Sequence, residues 1–82
     1  MHDLNKAIQL LEQSHWDEAH ERVQDGDNKY FFLIHGLLHR IEGDISNARY
    51  WYRRANEEYI ENTIDQEILR LKDLVTEFLK DQ

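Results

Sequence analysis

Residues 29–56, KYFFLIHGLLHRIEGDISNARYWYRRAN, decide the fold class of this chain. From Lys29 to Glu42 apolar side chains recur at spacings of three and four, the period of a helix, and Gly43 is placed to stop that helix as a left-handed C-cap. Asp44 can then cap the next helix directly, so the connection is expected to be very tight. Beyond it Ile45, Ala48, Tyr52, Ala55 and Tyr59 alternate spacings of three and four, which puts one small-and-aromatic stripe on a single helix face. That stripe is expected to be core, and the two segments to form an antiparallel hairpin.

Outward from this pair the chain has no Pro and only three Gly, so little interrupts helical periodicity. Leu4, Ala7, Ile8 and Leu11 predict a first helix with Asp3 as N-cap, ending around Gln13. Ser14-His15-Trp16-Asp17 reads as the cap of a short second helix that buries Trp16, Ala19 and Val23. Asp25-Gly26-Asp27-Asn28 is the clearest turn, because Gly permits positive φ and Asp or Asn side chains satisfy the free amides of a starting helix. Thr63-Ile64-Asp65-Gln66 reads as a capping box for a last helix with Ile64, Ile68, Leu71, Val75 and Phe78 in its stripe, widened by Leu69, Leu74 and Leu79. The expectation is a single all-α domain: a short hairpin over 1–25, a second over 28–59, and a capping helix over 63–80.

Composition narrows the function classes. A chain of 82 residues has one small core and little spare stability for a large cavity or a second lobe, so catalysis is not expected. Ten Lys and Arg against 17 Asp and Glu give a net charge of −7, which repels nucleic acids and anionic lipid surfaces. That charge is uneven: residues 1–28 carry −5, residues 29–56 +3 and residues 57–82 −5. Acidic flanks around a basic hairpin can attract one another within a chain or across a homodimer. With no Cys there is neither a disulfide nor a thiolate ligand or nucleophile. No apolar run approaches the roughly 20 residues that span a bilayer, and MHDLNKAIQL lacks a signal-peptide core, so a cytoplasmic location is expected.

The hairpin at 29–56 resembles a tetratricopeptide repeat. Phe32 stands where the repeat pattern has Trp, His35-Gly36 where it has Leu-Gly, and His39 where it has Tyr. Gly43-Asp44 falls at the turn, and Ala48, Tyr52 and Ala55 follow on the second helix. A weaker echo at residues 1–28 matches Ala7 and Ala19 to Gly36 and Ala48. The chain departs from the family in lacking the closing Pro and in placing two His on the packing face. The run from Leu38 to Asp44, continuing through Asn47 to Arg54, also resembles one in small bacterial proteins of unassigned function. The tetratricopeptide resemblance implies a right-handed stack of hairpins that binds protein or peptide along the first helix of each pair, here through Tyr30, Leu33, Leu37, Arg40 and Ile41. The Lys and Asn with which such repeats clamp a terminal carboxylate are missing from that face. An apolar face of this kind must be covered, and the candidates, in order, are the last helix, a second copy of the chain, and a foreign helix.

Three clusters carry possible chemistry. His35 and His39 are one helical turn apart, so their rings can converge as the start of a Zn²⁺ or Ni²⁺ site, with Glu42 or His20 as a third ligand. The same rings can equally be core residues that replace the Leu and Tyr of the repeat, and no cofactor is then needed. His20, His35, His39, Glu42 and Tyr52 can also converge as an acid, a base and an aromatic wall, but no phosphate loop or nucleophile elbow accompanies them. Arg49, Arg53 and Arg54 interleave with Tyr50 and Trp51 as a possible anion site. Ordinary pairing of Arg53 with Glu57 and of Arg54 with Glu58 is the simpler use of those charges. Asp25 and Asp27 open like a calcium loop, but Lys29 and the missing distal Glu make the segment a turn.

Overall fold

A computed structural model describes residues 2–81; Met1 and Gln82 lie outside the described residues. The chain is all-α. Among the described residues there are five helices and no strand: α1 His2–Glu12, α2 Trp16–Val23, α3 Lys29–Ile41, α4 Ile45–Arg54 and α5 Ile64–Lys80. The central element is α3, which packs on each of the other four helices and buries an unbroken run from Leu33 to Leu38. Leu4, Leu11, Val23, Tyr52 and Leu71 close around that run to make one core. Polarity explains the order: α3 carries apolar side chains on more than one face, so only the middle of the bundle can bury it.

Three helices end in the same way. After α1, α3 and α4 the residue one past the C-cap adopts a left-handed conformation, Ser14 at φ 61°, Gly43 at φ 85° and Asn56 at φ 57°. Its N–H and that of the next residue bond back to the last turn, as in Gly43 N to Arg40 O and Asp44 N to His39 O. Only the Gly of these three announces itself in the sequence. Ser14 therefore closes α1; it does not cap α2, whose N-cap is His15 with no side-chain hydrogen bond. Asp3 lies inside the first turn of α1 and is not its N-cap.

The same motif shortens the fourth helix. Asn56 takes the left-handed turn, so α4 stops at Arg54 and Tyr59 falls in the connecting segment, where its ring still meets Tyr52 at 5.4 Å. Two positions expected in apolar stripes face outward, Ile45 at 40% and Leu69 at 60% exposure. Gly26 is not at positive φ; its role is space, since a Cβ there would run into the Phe31 ring. The expected caps at Asn28, which accepts from Tyr30 N and Phe31 N, and at Thr63 with Gln66 are present.

Helices α3 and α4 approach closely because Gly36 has no side chain. A Cβ at Gly36 would sit 2.7 Å from the Tyr52 ring and 3.1 Å from the Ala48 carbonyl oxygen. The segment after α4 is tied down by polar groups. Lys29 Nζ donates to Glu57 at 2.9 Å, and Arg40 donates to the Ile60 carbonyl at 3.2 Å and to Asn62, through both its side chain and its carbonyl.

Candidate functional site

The face expected to bind a partner is occupied from within the chain. Leu33 and Leu37 are fully buried, Tyr30 stacks on Phe78 of α5 at 4.3 Å, and Arg40 is spent on Ile60 and Asn62. Only Ile41 on that face keeps partial exposure without such a tie. As the first of the three candidates proposed, α5 is what lies over α3. Any partner of the single chain therefore meets a different surface.

Beneath α5 lies a buried polar cluster that periodicity could not reveal. Glu67 is completely buried in an apolar stripe, and its carboxylate accepts from Tyr52 Oη, Asn62 Nδ2 at 2.9 Å, Arg70 Nε at 2.7 Å and Arg70 Nη2 at 2.8 Å. Burial pushes its pKa up, but the hydrogen bonds from Arg70, Tyr52 and Asn62 together outweigh it and hold the carboxyl below its ordinary value. Burial, then the hydrogen bond to Glu67, pushes the Tyr52 phenol the other way. Tyr52 is thus committed to Glu67 and is not part of an acid–base site with the histidines. The only sequence signal was a Glu three residues before an Arg on a capped amphipathic helix.

The three arginines of α4 do not act as one site. Arg49 lies 3.6 Å from Glu61 and over the Tyr59 ring at 4.5 Å, while Arg54 lies over Phe32 at 4.5 Å and Trp51 at 4.9 Å. Arg53 is exposed. Neither the Arg53–Glu57 nor the Arg54–Glu58 pair forms among the described residues. The helix ends at Arg54, so Glu57 and Glu58 are no longer on its face, and Glu57 pairs with Lys29 instead.

His20, His35 and His39 do converge. One ring nitrogen from each lies within 4.8 Å of the others, and His20 Nε2 and His35 Nε2 share a hydrogen bond at 3.0 Å. The third member comes from α2, where His20 faces α3 one turn before the buried Val23; Glu42 is exposed and does not join the group. His35 is sandwiched between the ring of His39 at 4.9 Å and the indole of Trp51 at 4.0 Å, both nearly parallel to it. Its pKa is lowered to about 4, first by burial and then by the proximity of His20, His39 and Arg54. His35 is therefore a neutral imidazole at neutral pH. The buried Nδ1 atoms of His35 and His39 have no hydrogen-bond partner; Asp44 Oδ2 stands 3.8 Å from the latter.

A groove of about 360 Å³ lies between the α1–α2 corner and the start of α5, lined by Leu11, Trp16, Ile64, Ile68 and Leu69 and edged by Glu12 and Asp65. No helix among the described residues is long and apolar enough to cross a membrane. No family model, curated protein or solved structure matches the chain. Its function is therefore read from its own residues.

Proposed function

We propose that the chain is a cytoplasmic interaction module of tetratricopeptide-like hairpins, closed by α5 and self-associating through its outer surfaces. The observation that carries this reading is the presence of two exposed faces of opposite charge. The groove beside Leu69 is apolar and edged by acids, Asp65 within it and Asp17 and Glu18 next to Trp16. The outer face of α4 presents Ile45 and Tyr50, at 40% and 44% exposure, among the basic Arg49 and Arg53. Apolar patches of this kind with opposite-signed rims complement each other. Both halves belong to one chain, so a second copy supplies the partner, and a two-fold arrangement would use each contact twice.

Sedimentation equilibrium tests this reading. Self-association is expected to weaken as salt is raised and to be lost in Leu69→Lys, which puts a cation into the groove without touching the core. An Arg53→Glu variant should lose it, and adding Asp65→Lys should restore it. A protein that stays monomeric at millimolar concentration would refute the reading.

A further inference from the structure

We propose that His20, His35 and His39 form a binding site for a divalent transition-metal ion of the class that prefers imidazole, zinc, nickel or copper. This goes beyond self-association and needs only one chain. The donor set comes from two helices. His35 and His39 share a face of α3, and His20 reaches them from α2, so an ion held by all three cross-links the first and second halves of the fold.

The spacing is close to what such an ion needs. Two imidazole nitrogens about 2.0–2.1 Å from a tetrahedral ion are roughly 3.4 Å apart. The His20 and His35 nitrogens already lie 3.0 Å apart, and the widest separation in the set, 4.8 Å, must close by about 1.4 Å, a movement within reach of a ring rotation. Protein hydrogen bonds do not account for these rings. Neutral imidazole has one donor and one acceptor nitrogen, and buried polar atoms are nearly always paired. Here His35 is 7% exposed, yet Nδ1 of both His35 and His39 is buried and unpartnered, and the one ring-to-ring bond brings together two nitrogens that both suit a metal.

An outer partner is also in place. Asp44 makes no side-chain hydrogen bond to the backbone amides of the helix it caps; its Oδ2 accepts from Asn47 Nδ2 at 3.2 Å and stands 3.8 Å from His39 Nδ1. A closure of about 1 Å would let that carboxylate accept the Nδ1 proton, which leaves Nε2 of His39 free for the ion, the usual carboxylate–histidine–metal arrangement. The local charges are Asp44 on one side and Arg54 on the other, the latter lying over the Trp51 and Phe32 rings. Three neutral nitrogens with neither carboxylate nor thiolate among them disfavour Mg²⁺ and Ca²⁺, which take oxygen ligands, and suit late first-row ions.

Trp51, stacked on His35, supplies the readout. In a Trp16→Phe background Trp51 is the single tryptophan, and Cu²⁺ or Ni²⁺ bound beside it will quench its fluorescence. Untagged protein stripped with chelator is titrated with Cu²⁺, Ni²⁺ and Mg²⁺ by fluorescence, and with Zn²⁺ by calorimetry. One equivalent of Zn²⁺ per chain is expected to bind with a micromolar or tighter dissociation constant, with matching quenching by Cu²⁺ and Ni²⁺ and no response to Mg²⁺. His20→Ala, at a half-buried position that tolerates truncation, should weaken binding at least tenfold while the helical circular dichroism is kept. His35→Gln should do the same, and His15→Ala, which removes an exposed imidazole, should change nothing. Absence of saturable binding in the wild type would overturn the proposal, as would a His20→Ala protein that binds like the wild type or a His15→Ala protein that loses the site.

Discussion

Replacing Glu67 with Ala removes the buried acceptor shared by Tyr52, Asn62 and Arg70, and the structure sets the size of the effect. Tyr52, 1% exposed, gives its hydroxyl to Glu67 and cannot reach water once the carboxylate is gone. An orphaned buried donor of this kind costs about 1–3 kcal/mol. Asn62 loses a bond as well, whereas Arg70, its side chain 27% exposed, can turn to solvent and limits the penalty. With the space left by the missing carboxylate and methylenes, a total of about 3–5 kcal/mol is expected, as for one partner removed from a buried pair. A domain of this length has about 4–12 kcal/mol in all, so Glu67→Ala should stand near the edge of folding.

Urea denaturation followed by far-ultraviolet circular dichroism at pH 7 measures that loss, and Tyr52→Phe gives the cross-check. Alone it should cost about 1 kcal/mol; in the Glu67→Ala background it should be neutral or stabilising, because it deletes the orphan. The pH profile carries a second signature. The Glu67 carboxyl is held below its unfolded value of 4.5, so its contribution is fully present above that value and is lost as pH falls through the depressed folded one. Glu67→Ala should lack that acid limb. A loss under about 1 kcal/mol, or additive effects of the two substitutions, would refute the account of the network.

Gly36→Ala gains about 1 kcal/mol of helix propensity but drives a methyl to within 2.7 Å of the Tyr52 ring and 3.1 Å of a backbone oxygen, so a net destabilisation of about 1–2 kcal/mol is expected by thermal melting. Metal-free protein should lose stability as pH falls from 6.5 to about 4, because the unfolded chain protonates His35 there while the folded chain, which buries that ring beside His20, His39 and Arg54, does not. The full effect is about 3 kcal/mol, and a His35→Leu variant measured by urea titration across that window should show a flatter profile. Ser14→Gly should raise the midpoint of thermal unfolding by a few degrees, equivalent to about 0.5–1 kcal/mol, because Ser14 holds φ 61° at the end of α1.

The elements were legible where local chemistry alone decides. Apolar spacing, the capping box at Thr63 and Gln66, Asn28 before α3 and Gly43 after it all act within one or two turns of the residue concerned, and each is where the sequence puts it. Two of the misreadings share a cause: the sequence does not mark Ser14 and Asn56 as the residues that take a left-handed turn. Ser14 therefore read as a start when it is a stop, and Asn56 ended α4 before Tyr59. The candidate metal residues were half legible. His35 and His39 declare themselves by their spacing on one helix, but the choice between Glu42 and His20 as the third member needs the placement of α2 against α3.

By itself the sequence determined an all-α chain, the apolar stripes of its helices and the tight connection at Gly43, because period and capping are properties of neighbours along the chain. Only the tertiary structure decided that α5 covers α3, that Glu67 sits buried among Tyr52, Asn62 and Arg70, and that three histidines from two helices share one space. Those outcomes depend on how side chains far apart in sequence compete for the same small core, and in a domain of 82 residues one helix folding back is enough to turn an exposed face into an interior.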